Sequence, residues 1–239
     1  IYPQRSSDIE VSVKEGGCHC KQNGSFQGKM IVVAALEDES AFPWQAAWYR
    51  DKVVAANPGK EDELFRLWFM EHCNHGDVAK TPGELHLVPY LGALRQALLS
   101  LSDWVERGIA PNKTTVYKVD DGQVLVPDKA KERMGVQPVV TLRANGSDCV
   151  HVKVGEEVSF EAIAQVPQGG GKITHIDFSF EGEEDYPYKG EVIDHNEEEY
   201  HAISKMVHIY HSPGTYFAVA KVKSNLVGDG DDIFTQIQN

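Results

Sequence analysis

The apolar positions of this chain change period once, near residue 112, and the two patterns predict two kinds of architecture. Residues 30–36 (MIVVAAL) form a continuous apolar run of strand length, the pattern of a strand buried on both faces as in a parallel sheet. It ends in the polar turn Glu37-Asp38-Glu39-Ser40. Phe42-Pro43-Trp44 then opens a predicted helix to about Ala56, with Trp44, Ala47, Trp48 and Val54 on one face and Asn57-Pro58-Gly59 closing it. Residues 63–70 are again apolar and β-rich and run into Glu71-His72-Cys73-Asn74-His75-Gly76-Asp77. Between His86 and Gly108, Leu87, Tyr90, Leu91, Leu94, Leu98, Leu101, Trp104 and Val105 recur at steps of three and four, tracing one face of a second helix that Gly108 caps. Strand, helix, strand, helix is a βαβα unit of an α/β sheet.

Beyond Asn112 the period shortens to two. Residues 150–154, 158–164, 173–180, 206–210 and 216–222 alternate apolar and polar positions, separated by turn signals such as Gly169-Gly170-Gly171 and Ser212-Pro213-Gly214. This pattern predicts an antiparallel β-sandwich of about 100 residues. The expected fold class is α/β plus all-β: a partial α/β domain over 1–111, a connector over 112–137 and a β-sandwich over 138–239.

Composition narrows the partners. The 239 residues carry 36 Asp+Glu against 23 Lys+Arg, a net charge of −13. No Lys/Arg stripe exists to neutralise a run of phosphates, which argues against nucleic acid and against an anionic membrane surface. No stretch reaches the ~18–20 apolar residues of a bilayer span. Residues 112–239 hold 21 acidic and 12 basic side chains, so the acidity belongs mostly to the β module. The chain opens on Ile1 without a signal peptide, as expected of a processed or truncated product.

The candidate chemistry lies at the strand ends. Asp38 follows the first strand and His75 the second, which places both at the C-terminal edge of a parallel sheet, where open α/β sheets build ligand sites. A carboxylate that orients an imidazole general base is two thirds of a nucleophilic triad, and the order acid then histidine is that of α/β-hydrolases. Cys18-His19-Cys20 and His72-Cys73-Asn74-His75 offer ligand types that suit zinc; unrelated thiols, or a disulfide from Cys73 to the Cys18/Cys20 loop, are the plainer readings, and no metal or other cofactor is expected. The acidic runs 181–185, 197–199 and 229–232 lack EF-hand spacing and read as solvated loops, with calcium the alternative. Trp44, Trp48, Trp68 and Trp104 have the spacing of core residues. Three N-x-S/T sequons start at Asn23, Asn112 and Asn145.

Gly28-Lys29-Met30-Ile31-Val32-Val33, Leu36-Glu37-Asp38, Phe65-Arg66-Leu67, His75-Gly76 and Trp104-Val105-Glu106-Arg107-Gly108-Ile109-Ala110-Pro111 together resemble the C-terminal half of the α/β-hydrolase core of tannase/feruloyl-esterase-like proteins, over roughly residues 20–111. The resemblance maps the catalytic acid onto Asp38, with Glu37 and Glu39 as neighbours, and the catalytic histidine onto His75, with His72 second. The nucleophile elbow G-x-S-x-G occurs nowhere in these 239 residues. The resemblance therefore implies the C-terminal fragment of an esterase, or a relative whose elbow is lost or supplied by another chain. Its implied partner is a small-molecule or polymer-linked ester, and its incomplete sheet would favour self-association.

Residues 176–182 (IDFSFEG) and 208–219 (HIYHSPGTYFAV) look like strands of PKD-type immunoglobulin-like modules. Such modules imply adhesion, spacing or carbohydrate contact, and commonly accompany secreted enzymes, so a secreted or periplasmic setting is expected. The rival functional class is a non-catalytic binding or spacer protein acting through this module, and the third is a metal-dependent hydrolase using the Cys/His cluster.

Overall fold

The computed structural model describes residues 22–76, 86–183, 185–196, 201–226 and 234–239. The fold is mixed and β-rich: among the described residues ten strands lie in two antiparallel four-stranded sheets and one antiparallel hairpin, two strands are parallel, and the helices number four. Strand β1 (Met30–Ala35) pairs in parallel with β2 (Phe65–Met70), from Met30 opposite Phe65 to Ala35 opposite Met70. Strand β1 is apolar throughout, and β2 is apolar but for Arg66, whose buried guanidinium donates to the Asp62 (2.6 Å) and Phe65 (2.9 Å) carbonyls; both faces of the pair are covered.

On one face, Val32, Ala34, Phe65, Leu67 and Phe69 pack with Ala47 and Val53 of helix α1 (Pro43–Ala56). On the other, Ile31, Val33, Ala35, Trp68 and Met70 pack with Ala93 and Ala97 of helix α3 (Leu91–Glu106). The single turn α2 (Glu61–Leu64) leads into β2. Pro43 suits the first position of α1, where its missing N–H is not needed. At the far end of α3, Gly108 takes a left-handed φ of 70° and turns the Ile109 N–H back onto the Asp103 carbonyl, 3.2 Å away.

The helices present different faces from those the spacing predicts. Gly92, Ala93, Ala97 and Trp104 are the buried residues of α3, whereas Leu94, Leu98, Leu99 and Val105 are exposed, Leu98 by 63%. The reason is close approach. A Cβ on Gly92 would stand 1.9 Å from the Gln236 carbonyl oxygen, so only the small-residue face fits inward. Trp68 and Trp104 are core residues, but Trp44 and Trp48 lie more than 40% exposed on α1.

Residues 112–117 run along the outer edge of β2. Thr114 Oγ1 accepts from Leu67 N–H (3.2 Å), Thr115 Oγ1 from Phe69 N–H (3.1 Å), and Thr115 N–H donates to Leu67 O (2.9 Å). A hairpin of β3 (Lys118–Asp120) and β4 (Gln123–Leu125) turns through Asp121 and Gly122, both at positive φ, as a two-residue primed turn requires. Helix α4 (Ala130–Arg133) follows.

The remaining strands are β5 (Val139–Ala144), β6 (Glu157–Gln165), β7 (Lys172–Ser179), β8 (Tyr188–Gly190), β9 (Ile193–Asn196), β10 (His201–Ile209), β11 (Val219–Asn225) and β12 (Ile237–Gln238). They form two antiparallel sheets, β5-β6-β10-β9 and β12-β11-β7-β8. Alternate residues, Val158, Phe160, Ala162 and Ala164 from β6 and Ile176, Phe178, Ala220 and Val222 from the other sheet, fill one core with Phe180 and Ala202. Residues 150–154 form no strand, although Val150 and Val152 still pack on this core.

One cross-strand set makes stability depend on alkaline pH. Asp177 is buried opposite Lys221 and Lys189, with Lys189 Nζ at 3.2 Å and Lys223 Nζ at 3.5 Å. Lys221 Nζ lies 3.8 Å from the centre of the Tyr186 ring. Burial first, then the Lys223 charge, pulls the Lys221 ammonium down from 10.5 to about 8, against the opposing pull of Asp177. Between those values the unfolded chain binds more protons, so this group's contribution to stability rises with pH; at pH 7 its charge opposes folding. Lys221→Met is expected to raise stability at pH 7, and the gain over wild type should shrink above pH 8 and vanish past 10.5. Urea denaturation of both proteins across that range checks it.

Candidate functional site

Parallel pairing without a register shift carries β1 and β2 to the same level, so the loops that leave them meet. Asp38 lies three residues past β1 and His75 five past β2. His75 Nδ1 is 3.0 Å from Asp38 Oδ1 and 3.1 Å from Oδ2. Asp38 Oδ1 also accepts from the backbone N–H groups of Ser40 (2.8 Å) and Ala41 (2.6 Å), the turn an aspartate favours by bonding its own following backbone. Burial pushes the Asp38 carboxyl up, but the Ala41 and Ser40 N–H groups and His75 outweigh it and hold the group below its ordinary 3.8. Its contribution to stability is complete above that pH and is lost as pH falls through the lowered value.

A carboxylate only accepts, so the proton of the neutral imidazole sits on His75 Nδ1 and the lone pair on Nε2. The acid is inside and the base outside: the side chains of Asp38 and His75 are 13% and 55% exposed. Of the neighbouring residues, Glu39 uses its carboxylate and Glu37 its backbone to hold the histidine loop. Glu39 Oε2 accepts from His75 N–H (3.3 Å), and Glu37 N–H donates to Cys73 O (3.0 Å). His72 turns away and bonds Asn239.

A cleft of about 390 Å³ runs from this pair along β1, between the start of α1 and the first turn of α3. It is lined by the backbone and side chains of residues 32–35, by Phe42 and Gln45 on one side, and by Tyr90 and Leu94 on the other. Its floor is the outer edge of β1, with which no strand pairs among the described residues. Asn74 also lines it, and Asn74 Oδ1 is buried without a protein partner.

Cys18, His19 and Cys20 lie outside the described residues, as do Glu184 and the acidic runs 197–199 and 229–232. Cys73 Sγ is buried 3.3 Å from Val88 O, and Cys149 is exposed. Among the described residues no group of three or more His, Cys, Asp or Glu side chains is placed to hold a metal ion. Glu183 uses one carboxylate oxygen for Ser179 Oγ–H and the N–H groups of Phe180 and Glu181.

In comparisons with known proteins, no family model, no curated protein and no solved structure matches this chain.

Proposed function

We propose that the chain supplies the acid, Asp38, and the general base, His75, of a carboxylic-ester hydrolase of the α/β-hydrolase type, tannase/feruloyl-esterase-like, whose nucleophile comes from a polypeptide segment that adds to the outer edge of β1. The observation that carries this is the hydrogen bond from His75 Nδ1–H to a carboxylate pinned by two backbone N–H groups. It leaves Nε2 as an oriented proton acceptor. As a hydroxyl oxygen bonds to the ester carbonyl carbon, Nε2 takes the hydroxyl proton and Asp38 stabilises the imidazolium. When the carbonyl re-forms and the C–O bond to the alcohol breaks, Nε2 returns that proton to the departing alkoxide.

Support for the added segment comes from β1 itself. Its six residues carry no charge and no proline, the devices that protect an exposed edge. Phe42 and Leu94 flank that edge from the two helix layers, 50% and 40% exposed. For the β-sandwich we favour the PKD-like immunoglobulin-type reading, supported by the Pro213-Gly214-Thr215-Tyr216 corner, where the Tyr216 hydroxyl donates to Ser212 O (3.0 Å). The missing elbow motif favours a second reading, a non-catalytic binding or spacer protein acting through this module.

An activated ester separates the two, because it needs only a water deprotonated by His75. The folded chain is expected to hydrolyse p-nitrophenyl acetate and to turn over faster when a polypeptide bearing a G-x-S-x-G elbow is co-expressed with it. Absence of any His75-dependent turnover in either preparation would leave the binding reading in place.

A further inference from the structure

The histidine loop is gripped from behind by the β-sandwich. Strand β12 and Asn239 belong to the sandwich by their hydrogen bonds: Ile237 and Gln238 pair with β11, and Asn239 exchanges both backbone bonds with Val222 (2.7 and 3.0 Å). The side chains of Ile237 and Asn239 serve the other unit. Ile237 is buried in the core with Trp68, Met70, Ala93 and Val136. Asn239 Nδ2 donates to Pro138 O (2.8 Å) and lies 3.4 Å from Glu71 Oε2, so its other atom is the carbonyl oxygen, which accepts from His72 Nδ1–H at 2.7 Å.

Gln137 completes the grip. Its Oε1 accepts from Glu71 N–H (2.7 Å), and its Nε2 donates to Glu71 O and Gln238 O, both at 2.9 Å. Arg133, buried, pairs with Glu71 Oε2. Between these bonds and His75, the chain passes through His72 at a left-handed φ of 55°, a conformation a non-glycine residue keeps only when its surroundings hold it.

We infer that Asn239 is a positioning residue for the base: by fixing His72 and Glu71 it sets where the loop 71–76 presents His75 to Asp38, so the residue that follows β12 tunes the site of the other unit. This rests on the proposed hydrolase reading only for its catalytic arm. The bonds that join the loop to its neighbours, Glu37 N–H to Cys73 O and His75 N–H to Glu39 Oε2, give a second readout that needs no activity.

The test compares Asn239→Ala with Ser224→Ala, which removes the buried hydroxyl near Ile237 O (3.4 Å) and touches no loop residue. In Asn239→Ala, amide hydrogen exchange at Glu37 and His75 is expected to quicken at least tenfold, and kcat for p-nitrophenyl acetate to fall at least tenfold with KM unchanged. Ser224→Ala should alter neither. Unchanged exchange in a folded Asn239→Ala overturns the proposal, as does faster exchange with full kcat in a chain whose turnover depends on His75, or the same change in Ser224→Ala. If no His75-dependent turnover exists at all, the hydrolase reading fails and exchange alone decides the positioning claim. Should Asn239→Ala not fold, Asn239→Ser, which is polar but too short to span both Pro138 O and His72 Nδ1–H, is subject to the same criteria.

Discussion

Replacing His75 by alanine should lower p-nitrophenyl acetate turnover on the order of 10²- to 10⁴-fold, the range a positioned general base contributes. The imidazole is the group whose Nε2 is left with a lone pair by its own neighbour, and alanine removes it without disturbing any core. The side chain is more than half exposed, so the variant should keep its far-UV spectrum and its urea midpoint. Asp38→Asn provides the mechanistic companion. Asp38 Oδ1 is held by the Ser40 and Ala41 N–H groups, so the asparagine carbonyl should stay on that turn and its NH₂ should face the imidazole. Nδ1 must then accept, the proton moves to Nε2, and the base loses its lone pair. Turnover should fall by a similar factor although the histidine is intact. Full turnover in folded His75→Ala would remove His75 from the mechanism.

Trp68→Ala should cost about 3–5 kcal/mol, the range for emptying a large aromatic site. Trp68 is wholly buried among Met70, Ala93, Ala97, Val136 and Ile237, and its indole N–H reaches Asn112 O at 3.3 Å. The site cannot close over the void. Helix α3 already meets β12 at Gly92 with no room to advance, and β2 is clamped on both edges by β1 and by Thr114 and Thr115. Because Ile237 of the sandwich lines the same core, the loss should appear as one destabilised urea transition rather than as a separate early step. A variant with an unchanged midpoint would contradict this placement of the indole.

The juxtaposition of Asp38 and His75 was legible before any coordinates. Two apolar runs of similar length, each followed by a polar turn and joined by a predicted helix, point to a parallel pair whose ends share one sheet edge. The alternation in β6 and β7 was equally plain, since a period of two leaves no other way to bury one face. Three features were not legible. The leucines of α3 lie outward, because the spacing of a helix shows which residues share a face but not which face meets a neighbour; Gly92 against Gln236 decided that. Trp44 and Trp48 share a face that the sheet does not cover. The grip on the histidine loop joins Glu71, Arg133, Gln137 and Asn239 across as many as 168 residues, and polar residues so far apart give no signal of meeting.

By itself, then, the amino-acid sequence determined what depends on near neighbours: the period of each segment, the turns between them, and which two chemical groups leave the ends of two adjacent strands. Tertiary structure alone decided what depends on long-range closure: the outer edge of β1 as the floor of a cleft, the small face of α3 turned inward, and a strand of the sandwich seated behind the candidate base. Local patterning follows from side-chain transfer between water and interior along a few residues. Which surfaces touch is settled by shape and hydrogen bonding between segments that the chain order does not relate.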